Sequence, residues 1–378
     1  MLITSNLVRV AFVAGSAALV ACVSQDRGGK DLSRTTSQEP TTERRVDALM
    51  KDYEGARPGA AVLVLRDGVP VVRRGYGLAE VETGRPIDAT TNFRLASLTK
   101  QFTAAAILLL VEDEKISLED RIDRWLPELP QAKTITVHQL LTHTAGLVDY
   151  EDVMGHVHAQ IHDADVLRIL GSQPKSYFES GTSYRYSNSA YALLALIVER
   201  ASGERFASFL ATRIFAPLGM SATVAYEEGV STVRHRAYGY SAREGRWYRT
   251  DQSSTSAVLG DGGIYSSIDD LTKWDAALYD DRLLKAASRR LLFTPATETD
   301  DPEIAYGYGW RITGETVWHS GETIGFRNVI VRYPERHATV VVLTNRDGPE
   351  PYRTALAIGR IVLRADARAT SDEDWRHR

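Results

Sequence analysis

Residues 93–102, Phe93-Arg94-Leu95-Ala96-Ser97-Leu98-Thr99-Lys100-Gln101-Phe102, lie where an extended pattern gives way to a helical one. The helical stripe continues through Phe102, Ala105, Ala106, Leu109 and Leu110. Ser97 and Lys100 have the i, i+3 spacing that places two residues on one helix face, so the hydroxyl and the amine can meet. A serine hydroxyl is a weak nucleophile until a base removes its proton, and a desolvated lysine can be that base. The stretch therefore predicts Ser97 as a nucleophile and Lys100 as its first proton partner.

A second serine and lysine pair has the same spacing, in Ser172-Gln173-Pro174-Lys175. The proline and the polar residues around it favour a loop over the start of a helix. Spacing alone therefore does not identify a catalytic site, and the neighbouring motifs have to decide.

Tyr186-Ser187-Asn188 is the second candidate motif, in a loop-like run before a helical pattern that starts at Ser189. In extended backbone, Tyr186 and Asn188 point to the same side and can face one cleft. A tyrosine beside a lysine can transfer protons, and an asparagine amide can orient a substrate carbonyl. The structural alternative is a core tyrosine followed by an asparagine that caps the helix.

His319-Ser320-Gly321 is the third candidate motif and follows the strand-like Thr316-Val317-Trp318. Gly321 would let a substrate backbone approach closely. The next amide, that of Glu322, could pair with the Ser97 amide as an oxyanion hole. A single histidine is more often structural than catalytic, so this motif gains weight only in combination with the others.

The three motifs, in this order, resemble the serine β-lactamase and DD-peptidase superfamily. The most similar branch holds class C β-lactamases, D-amino-acid-processing peptidases, DD-carboxypeptidases and related esterases. Where class A enzymes have S-D-N and K-T-G, this chain has Tyr-Ser-Asn and His-Ser-Gly. The resemblance covers about residues 46–363, and its supporting stretches are Phe93 to Ala96, Leu140 to Leu147, and Gly325-Phe326.

The resemblance implies an acyl-enzyme on Ser97. By the same analogy, Lys100 and Tyr186 move protons, Asn188 orients the substrate, and His319 assists Tyr186 and the substrate carboxylate. The amides of Ser97 and Glu322, beside Ser320 and Gly321, stabilise the tetrahedral intermediate. No cofactor is implied. The histidine variant favours a DD-carboxypeptidase or a D-amino-acid-type peptidase acting on cell-wall-like peptides over a β-lactamase.

Several other activities remain open, because penicillins, D-alanyl peptides and small esters all acylate such a serine. A class C-like β-lactamase or an esterase is therefore an alternative. An inactive lipoprotein that binds peptidoglycan is an alternative of another class.

A zinc site is a weaker alternative, suggested by His156, His158 and His162. The metallo-β-lactamase pattern would need aspartate and histidine where Gln160 and Ile161 stand, so a surface helix or loop is favoured. No G-x-S-x-G elbow is present, which disfavours an α/β-hydrolase triad. We expect no metal.

The composition is that of an ordinary globular protein, with 378 residues, 43% hydrophobic and 25% charged. The net charge of −4 gives no general attraction to nucleic acid, which we do not expect as a partner. The expected partner is a small molecule or peptide with an acylating carbonyl. No pattern indicates an oligomeric state.

The N-terminal segment reads as an export signal, with an apolar run from Val10 to Ala21 after Arg9. The run is too short for a transmembrane helix, which needs about 20 apolar residues. Cys22, the only cysteine, follows Leu19-Val20-Ala21, which resembles the lipobox of bacterial lipoproteins. We expect an exported protein, anchored to a bacterial membrane through Cys22 and facing the periplasm or cell wall; cleavage nearby without lipid is the alternative.

The predicted domain organisation is a signal peptide over 1–21, a polar flexible tether over 22–44, a catalytic domain over 45–366 and a polar tail over 367–378. Asp67-Gly68 between two β-rich runs predicts a hairpin. Further strands are expected over 306–312, 325–332 and 338–343, and a last helix over 352–363. These patterns predict an α+β fold with an antiparallel sheet built from both termini, about 45–95 and 255–366, flanked by helices. A mainly helical lobe, about 96–254, is inserted into it.

Overall fold

The computed structural model describes residues 41–374, with side chains up to residue 364. The predicted signal peptide, most of the predicted tether and the predicted lipid site Cys22 lie outside the described residues. The helices are α1 Thr42–Met50, α2 Lys100–Glu112, α3 Val137–Leu141, α4 Tyr150–Val153, α5 Asp163–Gly171, α6 Asn188–Ser202, α7 Phe206–Leu210, α8 Leu259–Gly262, α9 Ile268–Ala277, α10 Ala286–Phe293 and α11 Tyr352–Asp374. The strands are β1 Ala60–Arg66, β2 Val69–Tyr76, β3 Leu78–Glu80, β4 Arg85–Pro86, β5 Phe93–Arg94, β6 Val224–Ala225, β7 Tyr240–Arg243, β8 Arg246–Arg249, β9 Ile264–Ser266, β10 Thr297–Glu298, β11 Ala305–Tyr306, β12 Arg311–Thr313, β13 Thr316–Thr323, β14 Phe326–Tyr333 and β15 Ala338–Thr344.

The main sheet joins the two ends of the described chain, in the order β10-β11-β12-β13-β14-β15-β1-β2 with antiparallel pairing throughout. The β1–β2 hairpin turns at Asp67 and Gly68, whose φ angles are 49° and 76°. Positive φ at both positions suits the right-handed twist of the flanking strands. The predicted hairpin and the predicted α+β fold are confirmed.

Both faces of the main sheet are buried, which explains why its central strands are continuous apolar runs rather than alternating ones. Val62 and Val64 of β1 pack with α1 and α11 on one face. Ala61 and Leu63 pack on the other face against the helical part of the chain, including α2 and α6. Each fully buried side chain of this size contributes about 1.5–3 kcal/mol, so the two layers fix the sheet register strongly.

Local signals set the ends of the helices around the site. Thr136 and Gln139 form the predicted capping box at the start of α3. Helix α6 begins at Asn188 with Ser187 as its N-cap and ends at Gly203, whose left-handed φ of 80° terminates it. These caps place the second motif directly at a helix start.

Three predicted boundaries differ from the structure by more than two residues. The strand predicted over 306–312 is two short strands, β11 and β12, because the chain turns at Gly309, whose φ is 76°. A Cβ there would lie 2.7 Å from the Lys100 carbonyl oxygen, so this turn packs against the start of α2. The last helix continues to Asp374, and α1 begins at Thr42, where Thr41 accepts a hydrogen bond from the Arg44 amide.

Among residues 41–374, none of the helices is both long and apolar enough to cross a membrane.

Candidate active site

Ser97 lies in a short 3₁₀ turn, Ala96–Thr99, and Lys100 opens α2. The Ser97 Oγ and Lys100 Nζ atoms are 3.1 Å apart, and Lys100 is fully buried. Ala96, directly before Ser97, has a φ of 52°. Residues other than glycine rarely adopt this backbone conformation, and it is enriched at functional sites. The strained turn aims the Ser97 hydroxyl at the lysine.

The Lys100 amine is held by three oxygen atoms. Its Nζ lies 2.8 Å from Asn188 Oδ1 and 3.0 Å from the Asp261 carbonyl oxygen. Both of these atoms can only accept, so each takes one N–H, and the third direction points to Ser97 Oγ. In the ammonium form Lys100 donates to Ser97; after loss of one proton its lone pair can receive the Ser97 proton. The geometry is therefore suited to activating Ser97.

Tyr186 and Asn188 meet on Lys100, as the i, i+2 spacing predicts. Lys100 Nζ lies 4.9 Å from the centre of the Tyr186 ring. The Asn188 amide is oriented from both sides, because its Oδ1 accepts from Lys100 and its Nδ2 donates to Glu151 Oε2 at 3.1 Å. The structure thus brings together Ser97, Lys100, Tyr186 and Asn188, and their catalytic roles stay predictions.

Strand β13 brings the third motif against the Ser97 turn. A Cβ on Gly321 would lie 2.1 Å from the Leu95 carbonyl oxygen, so glycine is required by the chain's own backbone. Close packing of β13 on the residues before Ser97 is thus one reason for glycine here, and the approach of a substrate backbone stays a prediction. Glu322 follows on the same strand and lines one cleft with Ser97, as expected for a shared oxyanion hole. Ser320 pairs with Val329 inside the sheet.

His319 is 1% exposed and does not line the cleft at Ser97. Its Nδ1 lies 2.5 Å from the Ser320 carbonyl oxygen, which can only accept, so Nε2 is left to accept from the Tyr306 hydroxyl at 3.2 Å. Burial, with the charges of Arg311 and Lys100, holds the His319 pKa well below its usual range. An uncharged, enclosed ring differs from the predicted direct contact with a substrate carboxylate, and its hydrogen-bond partners are Tyr306 and Ser320 rather than Tyr186.

The cleft beside Ser97 is small, about 50 Å³. Its walls come from the Ser97 turn, the α4 segment, α6, the α8 segment and β13. The lining residues are Arg94, Ala96, Ser97, Tyr150, Glu151, Asn188, Thr255, Asp261, Gly262, Glu322 and Thr323. Several of them carry charge and were missed in the sequence, because they stand outside the three motifs.

Glu151 and Asp261 are the acidic groups on the side of Lys100. Burial and the nearby Asp149 raise the pKa of Glu151, and burial raises the pKa of Asp261 well above its usual range. The Asp261 carboxyl accepts a hydrogen bond from the Tyr150 hydroxyl at 2.9 Å. Among the side chains described, residues 41–364, neither carboxyl forms an ion pair with an arginine or lysine within 4 Å. The Asp149-Tyr150-Glu151-Asp152 run was the one signal in the sequence that could have pointed to part of this wall.

The second serine and lysine pair and the histidine cluster differ from the Ser97 site. Ser172 is the C-cap of α5, its hydroxyl donates to the Ile169 carbonyl, and Lys175 is exposed, so this pair differs from Ser97 and the buried Lys100. Among the described residues, no group of three or more His, Cys, Asp or Glu side chains could hold a metal ion. His156, His158 and His162 therefore form no such group.

Comparison with known proteins agrees with this geometry. Residues 42–363 match the family model described as Beta-lactamase. The chain is 35% identical to penicillin-binding protein 4* of Bacillus subtilis, covering 78% of this chain and 70% of the relative. It is 31% identical to a D-aminopeptidase of Gluconobacter oxydans, covering 80% of this chain but only 58% of that protein.

A solved structure shares the fold closely. The octameric penicillin-binding protein homologue from Pyrococcus abyssi superposes with a TM-score of 0.74 at 27% identity, covering 84% of this chain and 77% of that one. Together with the serine and lysine pair at the start of α2, these matches show that the chain belongs to the β-lactamase family and is a serine hydrolase.

Proposed function

We propose that this chain hydrolyses amide or peptide bonds of D-amino-acid-type substrates whose acyl part carries a free amino group. Ser97 Oγ attacks the carbonyl carbon, the amine leaves with a proton delivered through Lys100 and Tyr186, and water then cleaves the ester on Ser97. The observation that carries this proposal is the pair of acidic groups, Glu151 and Asp261, beside the nucleophile.

The acidic wall favours a cationic substrate group over an anionic one. Glu151 and Asp261 hydrogen-bond to the neutral groups Asn188 Nδ2 and Tyr150 Oη. Burial keeps the pKa of both carboxyls raised although the Lys100 charge acts against it, and the three N–H directions of Lys100 are already shared among other oxygens. Ionisation of these buried carboxyls is costly, and a substrate ammonium would supply the opposite charge that stabilises the carboxylate form.

The choice of D stereochemistry rests on similarity alone. The Gluconobacter oxydans relative is named a D-aminopeptidase, and this chain spans 58% of its length. Its activity is therefore a guide for the proposal and for the order in which substrates are tested.

A substrate with a terminal carboxylate, as for a DD-carboxypeptidase or a β-lactamase, is the second candidate. Arg94 favours it, because this cation lines the same cleft. However, Arg94 is 2% exposed, and its guanidinium donates to the Gln252 side chain and the Ser256 carbonyl. Two of its five N–H groups already have acceptors and the side chain is almost fully enclosed, so we rank the amine-bearing substrate first.

The test compares four substrates with one purified protein: D-alanyl-p-nitroanilide, its N-acetyl derivative, its L-enantiomer and an N-acyl-D-alanyl-D-alanine peptide. We expect the free D-amine to have the highest kcat/KM. Glu151→Gln should lower kcat/KM for that substrate about 10- to 100-fold, the effect of losing a hydrogen bond to a charged group. It should lower kcat/KM for the N-acetyl derivative by a smaller factor, because the glutamine Oε1 can still accept from Asn188 Nδ2.

Glu179→Gln is the matched control, because Glu179 is exposed and does not line the Ser97 cleft. Faster turnover of the N-acyl dipeptide than of the free amine would refute the amine-bearing substrate. Loss of all activity in Ser97→Ala, in the same assays, would still support the acyl-enzyme.

We also propose export and anchoring through a lipid on Cys22, supported by the apolar run over 10–21 and the lipobox-like residues before the cysteine. In detergent phase separation of cells that express the full chain, we expect the protein in the detergent phase and the Cys22→Ser variant in the aqueous phase. A wild-type protein in the aqueous phase would contradict the anchor.

A further inference from the structure

His143 lies in the turn after α3, and its side chain is 1% exposed. Its φ angle is 60°, in the left-handed region that residues other than glycine rarely adopt and that is enriched at functional sites. The sequence motifs gave this histidine no role. Its unusual backbone lets both its carbonyl group and its ring face the segment that carries Tyr186.

Two hydrogen bonds from that segment end on His143. The Arg185 amide donates to the His143 carbonyl oxygen at 3.0 Å, and the Ser187 amide donates to His143 Nδ1 at 3.1 Å. They hold the residues on either side of Tyr186. A backbone N–H can only donate, so Nδ1 carries no hydrogen, and the hydrogen of the neutral ring is on Nε2.

The imidazole also packs directly on the phenol. The ring centres of His143 and Tyr186 are 4.4 Å apart with an interplanar angle of 37°. On its other sides the ring meets Tyr191 at 5.0 Å and Tyr306 at 4.6 Å. The Tyr186 hydroxyl itself is buried and makes no hydrogen bond to a described residue. The position of the phenol beside Lys100 is therefore set by its backbone and its ring contacts.

We infer that His143 is a positioning residue of the acyl-transfer site. As an uncharged imidazole it fixes the backbone on both sides of Tyr186. Its ring also packs against the phenol and holds it beside Lys100. The inference concerns proton transfer at Ser97 and holds for any acyl donor, whichever substrate class is correct.

The surroundings of the ring favour its uncharged form. Burial lowers the His143 pKa well below its usual range, and the charges of Lys100 and Arg311 lower it further. Protonation would place a hydrogen on Nδ1, and the Ser187 amide would then face a donor instead of an acceptor. The groups that face the ring are Lys100 of α2, Arg311 of β12, His319 of β13, and the tyrosines Tyr184, Tyr186, Tyr191 and Tyr306.

The experiment measures phosphonylation of Ser97 by a fluorophosphonate, followed by intact-protein mass, with kinact and KI separated. In this step the oxygen–phosphorus bond forms, fluoride leaves, and the hydroxyl proton passes to the site. His143→Phe keeps an aromatic ring without the acceptor. His143→Gly suits the left-handed backbone and also lacks the acceptor. His143→Asn tolerates that backbone and offers its Oδ1 to the Ser187 amide.

We expect kinact to fall about 10- to 100-fold in His143→Phe and His143→Gly, the range associated with a misplaced catalytic group. KI should stay unchanged and His143→Asn should recover most of the rate. In a Tyr186→Phe background the same His143 changes should cost nothing further, because the residue acts through the phenol. Thermal midpoints by circular dichroism show that the variants are folded.

Three results would overturn the inference: an unchanged kinact in both acceptor-free variants, an asparagine variant as slow as they are, or a full additional loss in the Tyr186→Phe background. None of these readouts depends on the natural substrate. If the D-aminoacyl proposal failed, these phosphonylation measurements would still test the role of His143.

Discussion

The two serine and lysine pairs of this chain have the same spacing and opposite settings. Ser97 precedes α2, and Lys100 is fully buried with its amine 3.1 Å from the hydroxyl. Ser172 follows α5, where its hydroxyl donates to the Ile169 carbonyl at 2.7 Å, and Lys175 is exposed beyond Pro174. The hydroxyl of a serine at the C-terminal end of a helix can donate to the unpaired carbonyl groups of the last turn. The hydroxyl of a serine just before a helix lies instead beside the side chains of the first turn. The direction of the helix thus decides whether the two side chains can meet.

Burial separates the pairs further. The Lys100 amine is held by Asn188 and by the Asp261 carbonyl, which come from two distant parts of the chain. Such a group is desolvated and fixed, two conditions that allow an amine to act as a base. An exposed lysine such as Lys175 is solvated and mobile. The short motif therefore identifies the residues, and the fold determines whether their side chains can react.

Replacement of the nucleophile should have the largest effect. Ser97→Ala removes the atom that forms the acyl-enzyme, and we expect kcat/KM to fall by about 10⁴-fold or more, with the thermal midpoint unchanged. Intact mass after incubation with a fluorophosphonate should show an adduct on the wild type and none on the variant. Substantial turnover by Ser97→Ala would mean that the active site lies elsewhere.

Removal of the lysine should be the next largest effect. Lys100→Ala leaves Ser97 without its proton partner, and we expect kcat to fall about 10³-fold or more. It also leaves the Asn188 and Asp261 oxygens unpaired, so urea unfolding should show a loss of about 1–3 kcal/mol per group. Lys175→Ala is the matched control from the other pair, with activity and stability close to wild type. If Lys100→Ala and Lys175→Ala had equal effects on kcat and stability, the two serine and lysine pairs would not differ in function.

Two buried histidines near Ser97, His143 and His319, should make the free energy of unfolding depend on pH. The pKa values of His143 and His319 are lowered in the folded protein, so below about pH 6.5 these two side chains bind more protons in the unfolded state than in the folded one. Each histidine then lowers the free energy of unfolding by up to about 1.4 kcal/mol per pH unit as the pH falls.

Comparison of wild type with His143→Asn isolates one of these histidines. Asp163 acts in the opposite direction, since burial raises its pKa to about 7, but it is present in both proteins and cancels. Urea unfolding between pH 8 and pH 5 should show the wild type losing stability relative to the variant on acidification. A difference that does not change with pH would contradict the uncharged, buried state of His143.

The sequence could predict the elements that local patterns control. The β1–β2 hairpin, the capping box of α3 and the Gly203 end of α6 follow from turn and cap chemistry. The fold class followed from strand patterns at both ends, and the three motifs indicated which side chains could meet.

The remaining parts of the site depend on contacts between distant segments. Asp261 reaches Lys100 across 161 positions of the chain, and no short motif marks it. Gly321 is required by the Leu95 carbonyl oxygen, a neighbour that only the folded sheet reveals. His319 has the expected place in the sequence, but its ring is enclosed by Tyr306 and Arg311, so its hydrogen bonds could not be assigned from residue type.

The smallest expected effect belongs to the second serine. Ser172→Ala removes one hydrogen bond, from an exposed hydroxyl to the Ile169 carbonyl, which water can replace. We expect the free energy of unfolding to change by less than about 0.5 kcal/mol, as for other exposed substitutions, and kcat/KM to stay at the wild-type value. Measured beside Ser97→Ala in the same assays, this variant tests whether burial and helix direction, rather than the i, i+3 spacing, create the nucleophile. If Ser172→Ala also lost activity, spacing would matter independently of setting, and the role assigned to Lys100 would have to be shared.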